Sequence, residues 1–228
     1  MEGFRYYQVR LRGLAPGLLL SNGQMSDPGG WYVARLDELR GKEAAGEEVE
    51  RQRLRYQVTG RLYLDDQKRI VLPAEMLSSA FRKGAAAVSR VNGRKWWAGL
   101  TVTADAPLEV PGGLPPWDRL WEDARFVLRN MARAANGLPQ PRYRPWFRAW
   151  EAVVPVEIDP GVLDAGVLER VVAATGRAVG IGDWRPSAPK NPGKHGRFVV
   201  LGIEEVADPD RPAAAAAAAA QQQVLRLG

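Results

Sequence analysis

Between Val179 and Phe198 the chain gathers four glycines (Gly180, Gly182, Gly193, Gly196), Arg185, Lys190, Lys194, Arg197, Trp184 and its single histidine, His195. Glycine lets a backbone approach a ligand closely, and runs of free N–H groups in such loops cradle phosphates. Arginine adds bidentate contacts to phosphate, and an aromatic ring adds a surface on which a base can stack. His195 is the residue here whose chemistry suits a general base, for example toward a ribose 2′-hydroxyl. Its position between Lys194 and Arg197 suits phosphate contact better than a rigidly placed base. The competing reading is a glycine-rich connection with solvated charges.

Further cations fall where an anion could meet them. Arg10 and Arg55 sit on the outward positions of alternating segments, Arg82 and Lys83 end an amphipathic segment, and Arg94 and Lys95 occupy a turn. Trp96 and Trp97 follow that turn and are candidate stacking or core residues. The pair Asp65-Asp66 reads as a solvated turn, because adjacent residues at a strand end face opposite ways. Asp183 reads as a group that orients Arg185.

The chain has no cysteine and one histidine. Disulfides, thiolate catalysis and cysteine-held zinc are excluded, and too few ligands remain for a histidine-based metal site. No metal and no cofactor are expected. Lysine and arginine number 32 against 26 acidic residues, a net charge of +6 and a pI near 9.8. That balance favours an anionic partner, above all nucleic acid. The richness in Arg, Ala, Gly and Pro also fits a GC-rich genome. No apolar run approaches the length of a membrane span and no signal peptide opens the chain, so a cytoplasmic protein is expected.

The elements that must position these residues alternate in type. Residues 4–12 alternate as a strand, with Tyr7, Val9 and Leu11 toward a core. Residues 25–53 read as a helical insertion, and 54–64 as a return to strand on the alternation of Leu54, Tyr56 and Val58. Ile70-Val-Leu72 is a short strand, and Pro73 opens an amphipathic helix through Lys83 at its first position. Trp96 to Ala104 reads as a strand, and about 105–146 as a loop-rich insertion, ambiguous between helix and strand at 120–131. Residues 150–158 form a strong strand in which Pro155 argues for an edge or a bulge. A second helix spans 162–175, with Gly176 as its C-cap, and a last strand starts at Phe198. The order predicts an α+β domain over residues 1–207, a decorated ferredoxin-like or RRM-like antiparallel sheet with helices on one face. Residues 208–228 form an alanine- and glutamine-rich tail.

Three pieces carry a family resemblance: Val9-Arg-Leu-Arg-Gly-Leu-Ala-Pro-Gly-Leu-Leu-Leu20, Arg69-Ile-Val-Leu-Pro-Ala-Glu-Met-Leu-Ser-Ser-Ala-Phe-Arg82, and Gly180-Ile-Gly-Asp-Trp-Arg185 through Gly196-Arg-Phe-Val199. The chain resembles the RAMP superfamily, the RNA-binding subunits of CRISPR effector complexes. In that family a strand leads into a proline-initiated helix, and a late glycine-rich loop precedes a final strand. It is also similar to short phage and prophage proteins with a Gly-Ile-Gly-Asp-Trp-Arg-Pro…Gly-Arg-Phe ending. The segment at Pro73-Ala-Glu departs from the family's usual Pro-Gly. The resemblance implies an RRM-like sheet, recognition of a single-stranded RNA backbone, and head-to-tail assembly along it.

The expected function is therefore binding of RNA or single-stranded DNA by a non-catalytic subunit, as a homo-oligomer or within a larger effector complex, with no membrane. Its expected contacts are Arg10, Arg55, Arg82, Lys83, Arg94, Lys95, Gly180, Gly182, Trp184, Arg185, Lys194, His195, Gly196 and Arg197. The alternatives are a metal-independent endoribonuclease using His195 and a phage structural or assembly protein.

Overall fold

The computed structural model describes residues 3–40, 46–88, 99–133, 139–163 and 165–208. Its centre is a four-stranded antiparallel sheet in the order β4-β8-β1-β9, built from β1 (Arg5–Gly13), β4 (Leu100–Val102), β8 (Glu151–Ile158) and β9 (Phe198–Val206). The alternation expected in β1 holds: Tyr7, Val9 and Leu11 are buried, while Gln8, Arg10 and Arg12 are exposed. Val9 lies opposite Val154 on one side and Ile203 on the other, so the same parity runs across three strands. Ala152, Val154, Val156 and Ile158 join it in the core.

Pro155 lies in the interior strand β8 rather than at a sheet edge. Its carbonyl accepts from Thr103 N at 3.1 Å, on the side where β4 has just ended. Backbone N and C=O of one strand residue point the same way, so proline removes only the reciprocal bond to Thr103, at the point where β4 ends, and leaves the pairing with β1 untouched.

Two helices cross over between sheet strands. Between β1 and β4 runs α3 (Ala74–Val88), which buries Leu77, Ala80, Phe81 and Ala85. Pro73 precedes it by one residue, and its carbonyl accepts from Leu77 N. Asp105 Oδ1 accepts from Ala74 N at 2.8 Å and so caps the first turn from a distant loop. Between β8 and β9 runs α4 (Ala165–Ala174), shorter than the span expected, with Leu168, Val171 and Val172 buried. The two helices meet at Gly84. A Cβ there would stand 1.9 Å from Thr175 Oγ1 and 2.9 Å from Val171 O, so only glycine permits this approach.

A π-helical turn, Thr175–Val179, ends α4. Gly176 is buried within it, and the positive-φ residue that closes the helix is Gly180 (φ 68°). The C-cap glycine thus stands four residues later than expected, because the chain makes an extra wide turn before leaving the helix.

The rest of the chain forms a second layer beside this sheet. Helix α1 (Trp31–Arg40) follows the expected insertion, but α2 spans Glu47–Thr59 and replaces the strand expected at 54–64. Leu54, Tyr56 and Val58 fit a strand only when Gln57 is read as outward. Gln57 is 2% exposed, and its side chain accepts from Tyr143 N at 2.9 Å. The real stripe is Leu54, Gln57 and Val58, which has helical spacing. The expected strand at 62–64 reduces to an isolated bridge between Leu64 and Ile70, near the short β3 (Val71–Leu72), which pairs with β5 (Ala106–Pro107).

The insertion at 105–146 is more ordered than its proline content suggested. After 3-10 turns at Trp117–Glu122 and Ala124–Phe126, β6 (Val127–Arg133) and β7 (Pro139–Phe147) form a long antiparallel hairpin. β7 also pairs with β2 (Leu18–Leu19), and this ties the hairpin to the segment after β1. Tyr143 OH donates to Glu50 Oε1, which docks α2 on the hairpin. Among the described residues, no helix is long and apolar enough to cross a membrane.

Candidate nucleic-acid interface

The glycine loop is folded onto itself. Ile181 N donates to Gly196 O at 2.9 Å, His195 N to Trp184 O at 3.1 Å, and Gly193 N to Arg185 O at 3.1 Å. The loop is also pinned to the sheet region, since Asp183 N donates to Leu19 O and Gly196 N to Gly17 O. A Cβ at Gly196 would stand 1.7 Å from Ile181 O, and one at Gly182 would stand 2.3 Å from Leu19 O. These glycines let the two arms of the loop and β2 press together.

One outer side of this compact loop opens a cleft of about 430 Å³. Gly180, Gly182, Asp183 and Arg185 line it from the loop, Ser79 and Lys83 from α3, and Ser21 and Tyr63 complete the lining. Four expected contact residues, Lys83, Gly180, Gly182 and Arg185, thus come together although nearly a hundred positions separate Lys83 from Gly180 in sequence. Lys83 is exposed and has no partner among the described residues. The Arg185 guanidinium is aimed by its own loop, donating to Gly182 O at 2.6 Å and to Ser187 Oγ at 3.2 Å.

Next to the cleft stands an arginine cluster that the sequence reading did not assign to the site. Arg61, just past α2, donates to Gln57 O at 2.7 Å and leaves its Nε enclosed without a partner. Burial, then the neighbouring Arg144 and Arg142, lower its pKa to about 10, and Asp183 pulls in the opposite direction. Arg144 Nε donates to Asp183 Oδ2 at 2.7 Å, and its guanidinium lies 4.5 Å from the Trp184 ring centre. Asp183 therefore holds Arg144, not Arg185 as expected. Burial raises the Tyr63 hydroxyl above its usual range, with Arg185 opposing and Asp183 reinforcing the shift. The alternating basic residues of Pro141-Arg-Tyr-Arg-Pro145 were the visible signal for this cluster. Their proline content disguised them as a loop.

On the far side of the loop, Trp184, Lys194 and His195 line a second pocket of about 380 Å³ with Pro16, Asn191 and Pro192. His195 is thus separated from the cleft of Lys83 and Arg185. Its Nδ1 is enclosed without a hydrogen-bond partner. Burial lowers its pKa below the usual histidine value, against a smaller opposing effect of the Gly17 carbonyl. Burial thus favours the neutral imidazole.

The remaining expected contacts lie elsewhere. Arg10 stands on the exposed face of β1, away from the buried Tyr7, Val9 and Leu11. That face also carries Val153, Pro155 and the Arg12–Glu151 ion pair of 2.7 Å. Arg55 is exposed on α2, not on a strand. Arg82 donates to Ser78 O along its own helix, and Arg197 has its Nε enclosed without a partner. Arg94, Lys95, Trp96 and Trp97 lie outside the described residues, as does the tail beyond Asp208. Asp65 closes a tight turn by accepting from Arg69 N and Nε, as a solvated turn requires.

No protein-family model matches this chain, and no curated protein matches its sequence.

Proposed function

We propose that this chain binds single-stranded nucleic acid, RNA in the first instance, by holding consecutive phosphates in the cleft between the glycine loop and α3. The observation that carries this reading is the meeting of Lys83 and Arg185 in one cleft, with Arg61, Arg142 and Arg144 grouped close to its Asp183. Holding cations together against burial costs free energy, and a polyanion offsets that cost while releasing its own counterions.

The architecture supports a ferredoxin-like, RAMP-like reading. Taking β1, α3, β4, β8, α4 and β9 in turn gives a βαββαβ succession, with the first and third strands central. The hairpin β6–β7 and the α1–α2 pair are then insertions into that core. In this reading the cleft, where Lys83 and Arg185 meet, is the main binding surface, and the open sheet face with Tyr6, Gln8, Arg10, Val153 and Pro155 is secondary. Assembly of several copies along one strand, as in CRISPR-type effectors, follows from the same resemblance.

Fluorescence anisotropy with a labelled single-stranded RNA tests the proposal. The folded wild-type chain binds, and Lys83→Ala combined with Arg185→Ala weakens binding about tenfold or more. No binding by the folded wild type at low salt overturns it.

A further inference from the structure

The pocket behind the loop has a construction that phosphate binding does not require. Trp184 adopts φ 49°, which is a strained conformation for a bulky side chain. Backbone strain of this kind persists only where its surroundings enforce it, and it concentrates at ligand sites. Here Asp183 Oδ1 accepts from Trp184 N at 2.9 Å, and the Trp184 carbonyl accepts from His195 N at 3.1 Å. The consequence is a change of side: Asp183 and Arg185 line the phosphate cleft, while Trp184 between them lines the other pocket.

Aromatic and cationic groups follow one another beside this pocket, the ring pairs tilted or edge-on. Arg144 lies 4.5 Å from the Trp184 ring centre, and the Trp184 and His195 rings are 6.0 Å apart. Beyond them Trp146 stands 6.4 Å from His195, with Arg148 packed 3.8 Å over its ring. Trp146 is fixed by donating from Nε1 to Pro16 O at 2.7 Å. The pocket thus has rigid, flat walls from Trp184, His195, Pro16 and Pro192. It also has an exposed amide at Asn191 and an exposed cation at Lys194, neither with a partner among the described residues. Flat apolar walls with a few polar groups at the rim are the usual make-up of a small planar-ligand site.

We propose that this pocket receives one unpaired nucleobase of the strand whose phosphates occupy the cleft. The inference rests on the phosphate-binding reading above. The base stacks against Trp184, as bases of single strands do on aromatic side chains. Asn191 supplies both a donor and an acceptor to the base edge, His195 lines the wall, and Lys194 meets the next phosphate. Arg144 links the two sites, since it holds Asp183 on the cleft side and Trp184 on the pocket side.

The test compares a ten-nucleotide single-stranded RNA with an abasic phosphodiester strand of equal length, by anisotropy at fixed salt. The wild type binds the base-bearing strand about fivefold or more tighter. In Trp184→Gly, a substitution suited to φ 49°, and separately in Asn191→Ala, that ratio falls toward one. Equal affinity of the wild type for both strands, at undiminished salt sensitivity, overturns the base pocket and leaves the cleft proposal standing. Failure to bind either strand overturns both. A proline-rich peptide that fills the pocket without altering RNA binding also overturns the base assignment.

Discussion

Arg144 of the β6–β7 hairpin and Asp183 of the glycine loop are joined by a 2.7 Å charge-assisted hydrogen bond, with 18% and 26% of their side chains exposed. The bond fastens the inserted hairpin to the loop that forms one wall of the cleft. Asp183 Oδ1 also accepts from Trp184 N, so one carboxylate fixes the hairpin and the strained backbone together. Asp183→Asn keeps an acceptor for Trp184 N but loses the ion pair. It lowers unfolding stability by about 1.5–3 kcal/mol, the range for a charge-assisted bond. Urea unfolding of the two proteins measures this.

Gly196 is the tightest point of the loop. Gly196→Ala must escape a contact of 1.7 Å with Ile181 O at a φ of 69°. The loss expected is about 3 kcal/mol or more, from strain and overpacking together. A thermal melt with a midpoint within a degree of the wild type would contradict the packed-loop account.

Gln57 fixes α2 to the hairpin through the Tyr143 N–H. Gln57→Ala leaves that buried donor unpaired and costs about 1–3 kcal/mol. Gln57→Glu restores the acceptor but buries a charge, so it does not fully rescue. Chemical denaturation of both variants separates the two effects.

His195 is disfavoured as a cation by burial, so its pKa in the folded chain lies below that in the unfolded chain. Between those values the unfolded state binds more protons, and stability rises with pH. The contribution is complete above the ordinary histidine pKa of about 6.5 and is lost as pH falls from there toward the folded value. The midpoint of the wild type therefore drops relative to His195→Gln between pH 7.5 and 5. A constant difference between the two proteins over that window would exclude an enclosed neutral imidazole.

The core was legible where one physical signal dominated. β1 shows a clean period of two because one face is buried and the other open, and α3 shows a clean helical stripe for the same reason. The α2 region was misread because Gln57 is a polar residue in a buried place, and its partner Tyr143 lies 86 positions away. The hairpin was obscured by Pro139, Pro141 and Pro145, which alternate with Gln140, Arg142 and Arg144 along β7. Half of the cleft was visible in the glycines and in Lys83. Of the arginine cluster only the basic run at Arg142 and Arg144 was visible, because Arg61 joins them only when α2 and the hairpin dock together. The glycines themselves suggested phosphate cradling, but several of them serve close backbone packing within the loop.

The central claim is that the cleft holds phosphates. Its most direct measurement is the dependence of single-stranded RNA affinity on salt concentration. With the two cations that line the cleft, Lys83 and Arg185, each neutralising one phosphate, log K against log salt has a slope of about −1.4, and Lys83→Ala reduces its magnitude by about 0.7. A slope near zero, or one that Lys83→Ala leaves unchanged, would contradict the account.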